Sequence, residues 1–388
     1  MISKETYCEL PFKGVFLNTN GDVKFCCALN KPLGNISDKS LSEIMQGEIA
    51  SEIRKSILNN QWHDYCSVCK QAEKQSGSSQ RSFSIRPDNF EKAKLIENEF
   101  QFNIESIDVR WSNTCNLSCV YCFSGASSKW ASILNEYVVR PSSEEHQKFL
   151  SDIVEHATTI KSVNLLGGEP LLEKFNENLL IALHDYPNIS YNVLSNLSIP
   201  EITTNRIFQL LNKNDSVTWA VSFETIGERY DYVRNGSSWD LFQNNVRTVY
   251  EITNKKLLVH FTYCIYSATR LVEFFDYVSS VPWFKKIIIQ QLVTPSYLNV
   301  SMQNEKIRDS AIQEISICVD KYHEMFPEEM QQLIEIRQAL LDLPFINSSE
   351  HFNKIKNTET ILSKKIGIYE LWPELAESLA GDHHAKTT

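Results

Sequence analysis

Long apolar runs are missing from this chain of 388 residues. No run reaches the roughly 18–20 residues that a membrane-crossing helix needs. The first residues show no succession of basic, apolar and small side chains, so no secretory signal is expected. Basic residues are also in deficit, because 38 Lys and Arg stand against 48 Asp and Glu. The net charge of −10 argues against a nucleic-acid-binding protein, and we expect a cytoplasmic location without membrane attachment.

Cysteine, by contrast, is abundant, with ten residues in the chain. Disulfides are rare in the cytoplasm, so clustered cysteines there indicate metal or redox chemistry. Their distribution is uneven, because eight of the ten lie in the first third of the chain. The ten are Cys8, Cys26, Cys27, Cys66, Cys69, Cys115, Cys119, Cys122, Cys264 and Cys318.

Between about residues 105 and 300, short apolar or β-branched runs alternate with stretches of helical spacing. Ser142 followed by Glu145 is typical of a capped helix start. A strand followed by a helix, repeated about six times, predicts a parallel sheet with right-handed crossovers. The fold class is therefore α/β, a partial (β/α)6 barrel similar to the TIM barrel. The runs expected as strands are 104–111, 163–166, 191–194, 217–223, 257–266 and 287–293.

Four regions are expected along the chain. Residues 1–85 contain five of the cysteines and form a small cysteine-rich domain. Residues 86–103 are polar and connect this domain to the barrel, which covers residues 104–300. Residues 301–388 have apolar side chains at helical spacing and form a helical extension.

Directly after the first barrel strand, Cys115, Cys119 and Cys122 follow the spacing C-x3-C-x2-C. Three thiolates bind three irons of a [4Fe–4S] cube and leave the fourth iron without a protein ligand. An open coordination position is what a metal needs to bind a substrate directly. Zinc prefers four ligands, usually in paired C-x2-C units, and fits this spacing poorly. The loop is therefore predicted to hold an iron–sulfur cluster.

A second set of thiols comes from the first 69 residues: Cys8, either Cys26 or Cys27, and the C-x2-C pair Cys66 and Cys69. Four ligands close a metal site fully, which is typical of a structural or electron-transfer centre. On spacing alone, zinc and an iron–sulfur cluster fit this set equally well.

The three-cysteine loop resembles the signature of the radical S-adenosylmethionine (SAM) superfamily, and the resemblance extends over about residues 105–300. The segment Gly167-Gly168-Glu169-Pro170 is similar to the GGEP motif of that family. The resemblance implies that the backbone of this segment and Glu169 hold the amino group of SAM. A carboxylate beside a glycine turn is chemically suited to an ammonium group.

Further SAM contacts are implied by the resemblance at the ends of later strands. Ser195 and Asn196 are similar to a ribose-contacting strand end in which Leu197 replaces the usual glycine. Ser222 and Arg234 would face the ribose and the carboxylate of SAM. For Arg234 the alternative is a solvated charge at a helix edge. The remaining implied contacts are Tyr121 in the cysteine loop and Val293, which would pack on adenine.

The amino-terminal cysteines resemble the auxiliary-cluster module known as SPASM or, in its shorter form, twitch. The resemblance covers residues 21–27, 33–36 and 66–69, and it favours an iron–sulfur cluster over zinc. One set of four ligands implies one auxiliary [4Fe–4S] cluster. Cys26 is preferred to Cys27 because its distance from the preceding glycine is that of the usual module. Such modules usually follow the barrel, whereas this one precedes it.

The resemblance implies an enzyme that depends on an external one-electron donor, a flavodoxin- or ferredoxin-like protein. Reduction of the open cluster would cleave bound SAM to methionine and a 5′-deoxyadenosyl radical, which removes a hydrogen atom from the substrate. A peptide or protein side chain is the expected substrate, because many enzymes with SPASM or twitch modules modify peptides. A small metabolite or nucleotide is the alternative.

Two readings from other classes remain. A non-catalytic iron–sulfur electron carrier is disfavoured, because electron transfer does not require an iron without a protein ligand. A zinc-stabilised interaction protein would contain zinc and show no visible absorption. Cys264, on the fifth barrel strand, is expected as a small core residue, with a catalytic thiol as the alternative.

Overall fold

The computed structural model of the chain describes residues 5–76, 79–84, 103–343 and 350–384. The connector predicted for residues 86–103 lies outside the described residues except for its last residue. The chain divides into two units. The first unit comprises Met1–Thr114, Tyr137–Val193 and Thr204–Val217, and the second comprises Cys115–Glu136, Leu194–Thr203 and Thr218–Thr388.

The strands of the first unit form a mixed sheet, with both parallel and antiparallel pairs. Their bounds are β1 (Gly14–Leu17), β2 (Asp22–Lys24), β3 (Gly34–Asn35), β4 (Ser106–Val109), β5 (Ser162–Leu165) and β6 (Ser190–Ser195), whose last two residues belong to the second unit. Their order is β3-β2-β1-β4-β5-β6. The pairs β1–β4, β4–β5 and β5–β6 are parallel, and β1–β2 and β2–β3 are antiparallel.

Strand β1 differs from the sequence-based expectation. The strands expected for the parallel sheet begin at residue 104, but β1, within residues 1–85, pairs in parallel with β4 over four residues. All four residues of β1 are buried, as expected for a short apolar strand inside a parallel sheet. This run, Gly-Val-Phe-Leu, is the sequence signal for the strand. It lies between Cys8 and Cys26, and the cysteine spacing by itself does not reveal it.

The two faces of β4–β6 differ in polarity. Parallel strands covered on both sides are usually apolar on both faces. Here one face is apolar and buried, whereas the other carries a row of polar side chains formed by Asp108, Asn164 and Asn192, which are paired in register. We call these three residues the polar row. The residues of the buried face are Ile107, Val109, Val163, Leu165, Tyr191 and Val193.

Helices connect the strands of the first unit. The predicted capped start at Ser142 is confirmed, because its hydroxyl accepts from the Glu145 amide and the Glu145 carboxylate accepts from the Ser142 amide. The helices are Leu10–Lys13, Leu41–Met45, Glu48–Leu58, Ser67–Ser76, Gln80–Ser84, Ser143–Glu155, Lys174–Ala182 and Arg206–Leu211, with 3-10 turns at Asp64–Cys66 and Pro170–Leu172.

The second unit continues the alternation of strands and helices. Its strands are β7 (Val217–Ser222), β8 (Leu257–Tyr263) and β9 (Phe284–Gln291), in the order β7-β8-β9 and parallel throughout. The predicted α/β class with parallel strands is therefore confirmed. Its helices before residue 300 are Ser128–Leu134, Gly227–Val233, Trp239–Thr253, Ile265–Ala268 and Leu271–Ser280, with 3-10 turns at Ile202–Thr204 and Ser296–Leu298.

The carboxyl-terminal part of the second unit is helical, as predicted. One of its helices covers the outer edge of β9: the Glu329 carboxylate accepts from the Ile287 amide at 2.9 Å, and the Gln332 side chain donates to the Ile289 carbonyl at 2.9 Å. These contacts satisfy backbone groups that an edge strand leaves unpaired. The helices are Glu305–Tyr322, Pro327–Asp342, His351–Ile361, Ile368–Leu371 and Pro373–His384, preceded by a 3-10 turn at Val300–Met302.

None of the helices in the described ranges is both long enough and apolar enough to span a lipid bilayer.

Candidate functional site

The three-cysteine loop belongs to the second unit and is fixed by the helix that follows it. The Ser128 hydroxyl accepts from the Cys115 amide at 3.0 Å. The indole nitrogen of Trp130 donates to the Cys119 carbonyl at 2.9 Å, and the Cys122 amide donates to the same carbonyl at 2.9 Å. The backbone around the three thiols is thus held by hydrogen bonds before any ligand binds.

A second segment, residues 232–236, lies along the same loop. The Val120 amide donates to the Val233 carbonyl at 3.0 Å, and the Ser118 amide donates to the Asn235 carbonyl at 2.9 Å. Gly236 has φ +102°, and a β-carbon there would lie 3.2 Å from a carbonyl oxygen of the loop. These contacts on both sides of residue 119 tie the loop to the 232–236 segment.

Arg234 places a charge beside the loop. It is buried and forms a two-point ion pair with the Glu224 carboxylate, whose second oxygen also accepts from the Tyr121 hydroxyl at 3.0 Å. Its remaining terminal nitrogen lies 3.9 Å from the Cys119 sulfur. The alternative of a solvated Arg234 is therefore wrong. The implied contacts of Arg234 and Tyr121 with SAM stay predictions.

Two thiols of the loop, Cys119 and Cys122, have raised pKa values. Burial raises the pKa of Cys119, although the Arg234 guanidinium acts in the opposite direction. Burial, with the neighbouring Cys119, raises the pKa of Cys122 to about 12. Iron binds the deprotonated form, so cluster assembly at these positions displaces protons.

The GGEP segment belongs to the first unit, and its glycines are required by close packing. Gly167 has φ +119°, which disfavours any side chain, and a β-carbon on Gly168 would lie 2.2 Å from the Thr114 carbonyl oxygen. The Glu169 amide donates to that same carbonyl at 2.8 Å. The buried Glu169 carboxylate accepts from the amide of residue 171 at 3.1 Å, where Pro170 begins a 3-10 turn.

The end of β6 reaches the first cysteine of the loop. The Asn196 side-chain amide lies 3.9 Å from the Cys115 sulfur and donates to the side chain of residue 116 at 3.0 Å. Leu197 has φ +48°, the left-handed backbone that its usual glycine counterpart favours, and its amide donates to the Ser195 hydroxyl at 3.0 Å. The backbone shape is thus kept without the glycine.

The other predicted SAM contacts occupy different environments. Ser222 is half-buried and is the last residue of β7. Val293 follows β9 and is 72% exposed. Cys264 follows β8, is fully buried, and has a pKa raised by burial to about 12. That environment is the one expected of a core thiol.

The second cysteine set lies entirely in the first unit. Cys8, Cys26, Cys66 and Cys69 line one cavity together with apolar side chains that include Phe25. Cys27 is exposed and does not line this cavity. The thiols are brought together by the start of the first helix, the turn after β2 and the start of the Ser67–Ser76 helix.

These four thiols suit a closed iron–sulfur centre. Burial raises the pKa of both Cys8 and Cys66 to about 12, so iron binding at these two positions displaces a proton from each. Across the described ranges of the chain, no three side chains of His, Cys, Asp or Glu are arranged around a single metal ion. In a four-iron cube each thiolate binds a different iron, so the sulfurs need not converge on one point.

The carboxyl-terminal extension supplies residues that the sequence did not reveal. The Lys364 ammonium donates to the Tyr232 carbonyl at 2.5 Å and to the Asn235 side-chain oxygen at 2.8 Å. The Glu359 carboxylate accepts from the Tyr232 hydroxyl at 3.0 Å. No motif marks these positions, since they lie more than 120 residues from the segment that they contact.

Two family profiles match the chain. Residues 8–70 match SPASM, an iron–sulfur cluster-binding domain, and residues 109–278 match the radical SAM superfamily. The matched ranges contain the two cysteine sets described above.

Curated relatives match over part of their length. The GTP 3′,8-cyclase of Nautilia profundicola is 30% identical over 103 residues, which is 26% of this chain and 30% of the cyclase. The radical SAM cyclopropyl synthase TigE of Paramaledivibacter caminithermalis is 27% identical over 173 residues, which is 41% of this chain and 35% of TigE. The chain thus spans about a third of the length of either relative.

Solved structures show weaker similarity. They include anSMEcpe with bound AdoMet and a Kp18Cys peptide, with TM-score 0.42 and 14% identity over 56% of this chain and 61% of that one. They also include Streptococcus suis SuiB bound to S-adenosylmethionine, with TM-score 0.42 and 18% identity over 73% of this chain and 60% of that one. Similarity at this level supports no assignment of function.

The two family matches agree with the cysteine spacing and with the closed and open cysteine sets of the structure. Radical SAM and SPASM domains together imply [4Fe–4S] clusters and SAM as cofactors. The chain therefore contains a radical SAM domain, residues 109–278, preceded by a SPASM domain, residues 8–70.

Proposed function

We propose that the chain cleaves SAM reductively and removes a hydrogen atom from a peptide or protein side chain. The observation that carries the proposal is the three-cysteine loop, Cys115, Cys119 and Cys122, inside the segment that matches the radical SAM superfamily. Three protein ligands leave one iron of a cube free for SAM. When bound and reduced, this cluster supplies the electron that breaks the C5′–S bond of SAM.

Side chains of each unit have distinct roles in this proposal. Arg234 and Asn196 lie 3.9 Å from two of the thiol sulfurs and stabilise them as thiolates. Glu169, already buried in the GGEP segment, accepts the SAM ammonium, and Gly168 lets the backbone pack closely. Ser195, Ser222 and Val293 are the proposed ribose and adenine contacts.

Cys8, Cys26, Cys66 and Cys69 are proposed to hold the auxiliary cluster. Their shared, largely apolar cavity supports a closed four-thiolate centre. When bound, that cluster supplies an acceptor for the electron that a substrate radical gives up as it loses a proton, which makes the net reaction a two-electron oxidation. A flavodoxin- or ferredoxin-like protein is the proposed external donor.

The polar row supports a peptide as the substrate. Its side chains are two carboxamides and one carboxylate, which match the N–H and C=O groups of a peptide. Asn192 donates to Asn164 at 2.7 Å and is exposed, so the row is open to a ligand at this end. Burial raises the pKa of Asp108, although a hydrogen bond from Asn164 and the charge of Arg110 act in the opposite direction, and a further bound donor would offset the remaining desolvation cost.

A nucleotide or small metabolite is the second candidate, favoured by the match to a GTP 3′,8-cyclase. A non-catalytic electron carrier is the third reading, and it requires no SAM chemistry at all.

SAM cleavage tests the proposed function. The protein is purified without oxygen, reconstituted with iron and sulfide, and incubated with dithionite and SAM. We expect 5′-deoxyadenosine from the wild type and none from Cys115→Ala. The matched control is Cys27→Ala, which removes an exposed thiol and should retain cleavage. A fully iron-loaded wild type without 5′-deoxyadenosine would favour the electron carrier.

Substrate class is then tested with two probes. An equimolar pool of random-sequence octapeptides and GTP are each added to the active protein. We expect the peptide pool alone to increase 5′-deoxyadenosine formation above the substrate-free rate and to yield peptides that have lost two hydrogens. Stimulation by GTP alone would replace the peptide proposal with the nucleotide one.

A further inference from the structure

Lys364 lies in the connection between the helices His351–Ile361 and Ile368–Leu371 of the carboxyl-terminal extension. It is half-buried and points its ammonium at two neutral acceptors, the Tyr232 carbonyl oxygen and the Asn235 side-chain oxygen. Two carboxylates, Asp231 and Glu359, also act on its charge, but among the described residues neither lies within ion-pair distance of it. These groups compensate incompletely for taking a cation out of water.

Both acceptors of Lys364 belong to the 232–236 segment. That segment pairs with the cysteine loop through the Val120 and Ser118 amides, on either side of Cys119. The Asn235 side chain, which receives Lys364 through its oxygen, donates through its nitrogen to the Ser118 hydroxyl at 2.8 Å. A continuous path of hydrogen bonds therefore runs from Lys364 to the residue next to Cys119.

The same segment carries Arg234, whose guanidinium lies 3.9 Å from the Cys119 sulfur. Movement of residues 232–235 would displace Arg234 from the thiol as well as loosening the loop. Lys364 is thus connected to Cys119 by two routes, the backbone of the segment and the position of Arg234.

We propose that Lys364 is a positioning residue for the SAM-binding cluster, which holds the 232–236 segment against the cysteine loop and offsets the negative charge of the cluster thiolates. The inference rests on the proposed function, because it takes the loop to hold a [4Fe–4S] cluster.

The chemistry of the lysine agrees with this role. Burial lowers the pKa of Lys364 to about 8, and the nearby Cys119, Asp231 and Glu359 act in the opposite direction. A cluster bound by three thiolates would add negative charge near this ammonium and favour its protonated form. Groups that support metal ligands in this way typically change metal affinity or activity about 10- to 100-fold when mutated.

The test compares three variants of the full reconstituted chain. Lys364→Gln removes the charge, Lys364→Arg retains it, and Lys365→Gln removes the charge of the adjacent exposed lysine. The first readout is the midpoint potential of the paramagnetic signal that responds to SAM, measured by redox titration. The second is the substrate-free rate of 5′-deoxyadenosine formation.

We expect Lys364→Gln to shift the midpoint potential to more negative values and to lower the substrate-free rate about 10- to 100-fold. Lys364→Arg should keep the potential near the wild-type value, and Lys365→Gln should change neither readout. If Lys364→Gln does not retain iron, Lys364→Arg distinguishes the two roles. A role of the charge predicts that Lys364→Arg keeps its iron and its potential, whereas a purely steric role predicts that this variant loses iron too.

An unchanged potential in iron-loaded Lys364→Gln overturns the inference, and so does an equal shift in Lys365→Gln. These outcomes are separate from failure of the proposed function. A wild type that makes no 5′-deoxyadenosine refutes the proposed function, whereas the comparison of potentials still reports whether Lys364 acts on the cluster.

Discussion

Arg234 and Glu224 form an ion pair that is withdrawn from water, with side chains 7% and 0% exposed. Such pairs seldom add much net stability, because desolvation offsets most of the attraction between the charges. Removing one partner is different, since it leaves the other charge buried without compensation. Each of the two charges therefore needs the other in order to stay buried. Because the pair lies beside Cys119, we infer that it serves the cysteine loop rather than overall stability.

Arg234→Gln should lower the free energy of unfolding of the metal-free protein by about 3–5 kcal/mol, because it leaves Glu224 unpaired. Denaturant unfolding of the metal-free protein measures the change. The control is Lys174→Gln, which removes an exposed partner of Glu177 and should cost less than about 1 kcal/mol. Equal effects of the two substitutions would contradict the burial argument.

Adjacent cysteines at positions 26 and 27 provide a second prediction. Cys26 lines the cavity of the auxiliary cysteine set, whereas Cys27 is exposed outside it. Cys26→Ala should reduce the iron content of the reconstituted protein from about eight to about four atoms, while Cys27→Ala should leave it near eight. Iron analysis measures both, and the reverse pattern would assign the ligand to Cys27.

At the scale of elements, the barrel strands were largely predictable from sequence. Apolar runs at 163–166 and 217–223 became β5 and β7 with ends shifted by one residue. The run at 257–266 was predicted too long, because β8 ends at Tyr263 and a short helix begins at Ile265. Periodicity cannot separate a buried strand from a buried helical turn, since both are continuously apolar.

The polarity of the face that carries Asp108 is also an element-scale property. Alternation in β4 predicts that residues 106 and 108 share a face. It does not predict that Asn164 and Asn192 lie beside Asp108, because that depends on the register between strands distant in sequence. The polar row is therefore a feature that only the structure could reveal.

Asp108→Asn should raise the thermal stability of the metal-free protein at pH 7. Burial raises the pKa of Asp108 in the folded state, so the folded protein binds this proton more tightly than the unfolded chain does. The stability that the protonated Asp108 contributes is then lost as the pH rises above the ordinary aspartate pKa of about 3.9.

The gain from Asp108→Asn should therefore be largest at neutral pH and shrink as the pH falls towards about 4. Thermal unfolding at a series of pH values measures it. Loss of peptide-stimulated 5′-deoxyadenosine formation in the same variant would assign the polar row to substrate binding. A destabilised variant at pH 7 would contradict the assignment of a desolvation cost to Asp108.

For the whole molecule, the family and the two cysteine sets followed from sequence, because their ligand spacing is local. The supporting contacts did not, since Lys364 reaches the 232–236 segment from the far end of the chain. Strand β1 joining β4 likewise depends on a pairing between residues about ninety positions apart. Long-range contacts of single polar residues leave no periodic signal in a sequence.

The central claim is that one cluster, held by Cys115, Cys119 and Cys122, has an iron open to SAM. The most direct measurement is electron paramagnetic resonance of the dithionite-reduced protein before and after SAM is added. We expect a reduced [4Fe–4S] signal that changes with SAM in the wild type, and loss of that response in Cys115→Ala with the auxiliary signal retained. A fully loaded wild type whose signals are unaffected by SAM would contradict it.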